Sequence, residues 1–206
     1  MIVRVARNGR TAMVRKAIHA KPDKRDAILE AMLDLVVERG FHNAPMSLLA
    51  RRSGASPGVI YHYFPSKDEL IRAVYQRVAA IKHDVILEDY SDSVPAREAM
   101  LQLWLNTYRF YRKYRREARF LDQYLNSPFC STAGKQESAD GHPAMARIYR
   151  LFRPRRQGGI LKDLPMEAIE SLTLGLAVAL AKARRSFSES TLREIAETVW
   201  TAIADE

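Results

Sequence analysis

The chain has 206 residues, 47% apolar and 28% charged, with 33 Lys and Arg against 24 Asp and Glu for a formal net charge of +9. That length supports a buried core in one large or two small domains, which sets a disordered chain aside. A single cysteine, Cys130, excludes an internal disulfide and a cysteine-rich zinc site and points to a reducing, cytoplasmic setting; the longest strongly apolar run, residues 172–181, is about half of the roughly 20 residues that a membrane span needs.

Charge is concentrated at the start. Eight basic residues from Arg4 to Arg25 face Asp23 alone, so residues 1–25 carry +7 and the remaining chain only +2. A basic segment ahead of a near-neutral globule fits an arm, residues 1–21, that docks on phosphates. A secretion signal fits poorly, because arginines interrupt every candidate apolar region. A solvated leader is the alternative.

From Asp23 onward the apolar residues recur at three and four, which predicts an all-α chain of about nine helices. Ile28, Leu29, Met32, Leu35 and Val36 stripe the first helix, and Gly40 ends it. A second short helix is expected over 46–52, broken by Ser53-Gly54-Ala55. Ser56-Pro57 supplies an N-cap followed by proline in the first turn, so a third helix runs to about Tyr63. Ser66 caps a longer fourth helix over about 67–86. Beyond an acidic connection lie an aromatic helix over about 96–114, another over 117–125, a loop over 126–141 and a helix over 142–152. Two final helices are expected over about 165–185 and 188–204.

Two short helices around a glycine turn are the minimum of a helix-turn-helix, whose second helix enters the major groove. Gly54 supplies the positive φ of the turn, and Leu49 and Ile60 pack the pair. Ser56 leaves Pro57, Gly58, Tyr61 and His62 on the outer half of the third helix, where the small Ser-Pro-Gly start lets backbone approach base edges. The residues of 24–70, above all Gly40-Phe41, Ala50, Gly54-Ala55-Ser56, Gly58, Tyr61-His62-Tyr63-Phe64 and Ser66-Lys67-Asp68-Glu69-Leu70, resemble the DNA-binding head of TetR-family transcriptional regulators. The resemblance implies phosphate contacts from Tyr61, Tyr63 and Lys67, base-facing positions at Pro57, Gly58 and His62, and a contact from Ser47 at the start of the second helix. A lysine in a first helical turn opposes the helix dipole, and a phosphate bound there explains it; pairing with Glu69 is the alternative. Phe64 is expected in the core. The chain departs from the family at Ala44-Pro45, where Thr or Ser commonly caps the second helix, unless Ser47 substitutes.

Other basic residues have a plainer reading. Arg51 and Arg52 sit at a helix C-terminus, where cations suit the dipole. Arg109, Arg112, Lys113, Arg115, Arg116 and Arg119 face Glu117 alone. An anionic ligand or a second nucleic-acid contact is one reading, and a solvated helix face is the expected one.

The charge pattern sets off the arm 1–21, and the resemblance implies a DNA-binding domain 22–70 and an effector-binding and dimerisation domain 71–206. Residues 172–181 are apolar around the whole helix, so two faces need burial. With Gly175 and Ala179 allowing close approach, a two-fold four-helix interface is expected from Leu172, Gly175, Leu176, Ala179, Leu192, Ile195, Val199 and Ile203, and it spaces two half-sites about 34 Å apart. Trp104, Tyr108, Tyr111, Phe120, Tyr124, Phe129 and Tyr149, with His142, are candidates to line an effector pocket, against ordinary core. Scattered histidines and the absence of a nucleophile elbow or phosphate loop argue against an enzyme, and no metal or cofactor is expected. The expected function is a homodimeric repressor on a pseudo-palindromic double-stranded DNA operator, released by a small, largely apolar or aromatic effector, without a membrane partner. The alternative is a DNA-bound assembly factor with a protein partner.

Overall fold

The computed structural model describes residues 23–91, 93–130, 148 and 152–205. Among these residues the chain forms eight helices and no strand, with isolated bridges at Pro154, Leu161 and Ala204. The fold is all-α. Two compact units divide between Leu70 and Ile71. The basic arm lies outside the described residues, as does the helix expected over 142–152 apart from Ile148, which is helical, and Phe152. No helix among the described residues is long and apolar enough to cross a membrane.

In the first unit, α1 (Lys24–Arg39) begins where the Asp23 carboxylate accepts the Arg25 N–H at 3.3 Å, and ends at Gly40, whose φ of 77° and ψ of 167° belong to glycine. Its expected stripe is buried, and Ala31 and Leu33 are buried beside it. Next come α2 (Met46–Ser53) and α3 (Pro57–Tyr63), joined by a turn in which Gly54 takes φ 66°. The Ser53 hydroxyl donates to the Leu49 carbonyl at 2.8 Å and accepts the Ala55 N–H at 3.3 Å, so it fastens both sides of that turn. Leu49, Ile60 and Phe64 are buried with the α1 stripe. The fourth helix, α4 (Lys67–Ile86), opens with Ser66 accepting the Glu69 N–H at 3.1 Å and with Asp68 and Glu69 in the first turn, where negative charge suits the dipole.

The second unit is organised by α5 (Ala96–Lys113), on which Trp104 and Phe110 are fully buried. Near it, the turn that follows α4 holds a left-handed Asp89 (φ 61°), and buried Asn106 donates to the Ile86 and Glu88 carbonyls at 3.1 and 2.9 Å. Those bonds satisfy helix-end acceptors that would otherwise be orphaned. Tyr114 forms an elbow into α6 (Arg115–Leu125). The seventh helix, α7, comprises an α segment Met166–Glu170, a π turn Ser171–Gly175 and an α segment Leu176–Lys182. It therefore differs from the regular helix expected over 165–185, being widened in the middle and ending three residues earlier. The Trp104 indole N–H donates to the Thr173 carbonyl inside the π turn at 3.1 Å. The last helix, α8 (Glu189–Ile203), is capped by the Ser188 hydroxyl, and both α7 and α8 pack on α5.

A tight turn over 153–163 closes the C-terminal end of α8. Lys162 donates its backbone N–H to the Ile203 carbonyl at 2.8 Å and its ammonium to the Thr201 and Ala202 carbonyls, while Arg155 pairs with Asp205 at 2.8 Å. The turn depends on Gly159, because a Cβ there would lie 2.0 Å from the Arg153 carbonyl oxygen. Gly159→Ala is therefore expected to destabilise the protein by about 2 kcal/mol or more, measured as the shift of a urea or thermal unfolding transition. A transition at the wild-type position would show that the turn accommodates the methyl group.

Candidate DNA-binding site

The outer half of α3 is open. Ser56, Pro57, Gly58 and His62 are exposed, Tyr61 is 49% and Tyr63 37% exposed, and a Cβ built on Gly58 meets no atom within 4 Å. The inner face is closed, with Ile60 and Phe64 buried and the Arg25 guanidinium over the Phe64 ring at 5.4 Å. The Ser56 hydroxyl caps α3 by accepting the Val59 N–H at 3.4 Å. Ser47 is exposed near the start of α2 but does not cap it: Pro45 is the cap residue and no side chain bonds there. The missing hydroxyl at Ala44-Pro45 is thus left uncompensated by a side-chain cap.

Two contacts that sequence reading missed hold this surface in place. Arg52 makes a bidentate pair with Glu38, both bonds at 2.6 Å, and lies 3.6 Å from Asp34. It is therefore a clamp from α2 to α1 rather than a solvated helix end. The hydrogen bond from Arg52 holds the Glu38 carboxyl below the usual carboxylate range. The available signal was the acidic i,i+4 pair Asp34 and Glu38 on the polar side of α1. The second contact is Lys67, whose ammonium donates to the Phe41 carbonyl at 2.8 Å. One of three protons is engaged, which fixes the group at the start of α4 and leaves two for an acceptor outside. Glu69 is not its partner in this contact.

Of the candidate effector residues, Trp104 and Tyr111 border two different concavities. An apolar pocket of about 90 Å³ is lined by Trp104 with Leu103, Phe152, Leu161, Ile169 and Ile203, and Glu170 lies at its wall. Tyr108, Phe120 and Tyr124 are buried, Tyr124 stacking on Tyr75 at 4.1 Å and on Phe120 at 6.0 Å and donating to the Phe129 carbonyl at 3.1 Å. Tyr111 borders a separate basic cleft, and burial, followed by the charge of Asp122, pushes its hydroxyl up to about 12. Tyr149 and His142 lie outside the described residues.

The expected dimer residues also separate. Leu172, Gly175 and Ala179 are exposed along one side of α7, with Leu176 and Ile195 half-buried. Leu192, Val199 and Ile203 are instead buried within the chain, because the side of α8 that carries them packs inward, and Ile203 lines the apolar pocket. Those three are core residues.

Two short helices locked around a glycine turn, the second with its outer face open and aromatic, define a helix-turn-helix DNA-binding protein. A family model for bacterial regulatory proteins of the tetR family matches residues 28–74, and one for a tetracyclin repressor-like C-terminal domain matches residues 95–204. The chain belongs to the TetR family of transcriptional regulators. An uncharacterised helix-turn-helix transcriptional regulator of Haemophilus influenzae is 26% identical over 188 residues, spanning 89% of this chain and 97% of that one. The crystal structure of a TetR family regulator from Marinobacter aquaeolei superposes with a TM-score of 0.78 at 21% identity, over 89% of this chain and 96% of that chain. A regulator from Saccharomonospora viridis, solved in complex with choline, gives a TM-score of 0.62 at 20% identity, over 88% and 98%.

The Glu38–Arg52 clamp carries a pH signature. A carboxyl whose folded pKa lies below its unfolded value stabilises the fold above the unfolded pKa and loses that contribution as pH falls through the folded pKa. Arg52→Ala is expected to lower the melting temperature at neutral pH and to leave a smaller drop between neutral and acidic pH than wild type shows. Parallel melting curves at both pH values would remove the clamp from the account.

Proposed function

We propose that this chain is a ligand-responsive homodimeric repressor whose α3 reads a pseudo-palindromic operator. Pro57, Gly58 and His62 face the bases, while Tyr61, Tyr63, Lys67 and Ser47 hold phosphates. The observation that carries the DNA-reading surface is the open flank of α3 at Gly58, where no side chain stands between backbone and groove. The apolar pocket around Trp104 is the effector site. Its roughly 90 Å³ holds only a few heavy atoms, so a larger ligand enters by displacing the walls. Such a ligand prefers the expanded conformer, and that differential affinity is what shifts a two-state equilibrium. The walls favour an apolar body, Glu170 offers a counter-charge at one side, and the choline held by the S. viridis regulator is a small ligand of that kind. The change passes along α4, whose residues run from the first unit into the second.

Gly58→Ala separates reading from folding. The new methyl group stands in open space, so the melting temperature is expected to hold or rise slightly, while operator affinity falls by tenfold or more, about 1.4 kcal/mol. Mobility shifts on a site found by genomic binding-site mapping measure this, and unchanged affinity would remove α3 as the reader. The same assay tests the switch: a pocket ligand must lower operator affinity, and a tightly bound ligand that leaves it unchanged refutes the mechanism.

Dimerisation is assigned to the exposed side of α7. Leu172 is 42% exposed, and Gly175 and Ala179 continue its face. Sedimentation of wild type is expected to give a dimer, and Leu172→Glu a folded monomer with weakened operator binding. A dimer unaffected by that charge lies elsewhere.

A further inference from the structure

The second unit carries a concavity distinct from the apolar pocket. It measures about 490 Å³ and lies between the end of α5, α6 and the connection from α7 to α8. Five cations line it, Arg112, Arg115, Arg119, Lys182 and Arg184, against the single carboxylate of Asp122. Two of the five are committed. Arg112 donates to the Ala181 and Ala183 carbonyls at 3.4 and 3.1 Å and to the Ser186 hydroxyl, which ties α5 to the connection. Lys182 pairs with Asp122 at 2.8 Å. Among the described residues, none of the other three pairs with a carboxylate. Arg115 spends only its Nε, on the Arg112 carbonyl at 3.4 Å, and among the described residues neither Arg119 nor Arg184 forms an ion pair.

We infer that this cleft binds a small phosphate-bearing polyanion, held by the guanidinium groups of Arg115, Arg119 and Arg184. Arg115 and Arg119 are one turn apart on α6 and so project from the same side of the helix. Arg184 comes from a segment more than sixty residues further along the chain. Guanidinium groups present paired donors that match phosphate oxygens, and three of them lining one cleft suit a ligand with more than one phosphoryl group. The cleft encloses about 490 Å³, room for a small ligand. A duplex about 20 Å wide cannot enter it, whereas phosphate tracks on DNA-binding surfaces follow an open face. The site does not depend on the operator reading or on the apolar pocket, so it stands or falls separately.

Inorganic pyrophosphate is the probe, titrated calorimetrically into the full chain at fixed ionic strength. One saturable site per chain is expected, with Arg119→Ala and Arg184→Ala each weakening it about tenfold or more. Arg193→Ala, exposed on α8 and outside the cleft, is expected to leave it unchanged. Wild-type melting curves for the variants confirm folding, since both cleft arginines are exposed. Two further arms separate sources of phosphate: binding to a non-operator duplex and to phosphatidylglycerol vesicles, both expected to be indifferent to Arg119→Ala and Arg184→Ala. Pyrophosphate affinity equal in wild type and cleft variants overturns the assignment, because the basic arm would then account for the binding. Loss of duplex or vesicle binding in those variants overturns it in favour of a nucleic-acid track or a membrane contact.

Discussion

A seven-residue helix cannot hold itself together in water. Nucleation costs more than so few hydrogen bonds return, and isolated helices shorter than about 12 residues are marginal. Both α2 and α3 are below that length, yet α3 has to leave one side bare, so its entire stability comes from the other side. Ile60 and Phe64 provide the buried anchor, Ser56 caps the first turn, and Pro57 fixes a helical φ in advance. The glycine turn then sets the angle between the pair. Arg52 and Lys67 fasten what lies around it, one from α2 to α1 and the other from the start of α4 to the Phe41 carbonyl. An exposed recognition surface is thus a consequence of heavily constrained neighbours.

In the second unit the equivalent constraint is the burial of α5, which puts polar groups where water cannot serve them. Asn106 meets the end of α4, Thr107 returns its hydroxyl to the Leu103 carbonyl, and the Trp104 indole reaches Thr173. The last of these matters for the pocket. A π turn places five residues where a regular helix would place fewer, so α7 bulges at Thr173 and Leu174, and both line the cavity that Trp104 also borders. Gly175 suits that geometry, since a Cβ there would lie only 3.2 Å from the Glu170 carbonyl. The cavity and the widened helix are therefore one feature.

The first unit was largely legible because its signals are local. Caps at Asp23, Ser56 and Ser66 and the glycines at 40 and 54 each state a backbone conformation within three or four residues. What could not be read is long-range. Arg52 and Glu38 are fourteen positions apart, and nothing local distinguishes a clamp from a solvated arginine. In the second unit, periodicity identified the helices but not which rings would face one another. Phe120 and Tyr124 read alike whether they pack or line a pocket, and only the fold brings Tyr124 onto Tyr75 and Phe120. For α8 the stripe Leu192, Val199 and Ile203 announced a buried side correctly, but burial against the same chain and burial against a second copy have the same period. The π turn has no compositional mark at all, because Ser, Leu, Thr and Gly are unremarkable in a helix.

Charge on α5 and α6 follows the same division between local pattern and tertiary use. A run of cations read as a solvated face, and several are instead fasteners. Arg109 reaches Glu189 at 2.6 Å, Arg112 holds the end of α7, Arg116 pairs with the buried Glu117 at 2.8 Å, and the ammonium of Lys113 sits over the Tyr114 ring at 5.4 Å. Each joins two groups that already had a reason to meet, so each is explained without a ligand. Arg119 and Arg184 are different, since both line one concavity and, among the described residues, neither has a carboxylate partner to offset the like charge beside it. The repulsion persists because the fold fixes the backbone on both sides: Arg112 pins the connection that carries Arg184, and Lys182 with Asp122 pins it to α6. A mobile anion is the remaining charge that can relieve it.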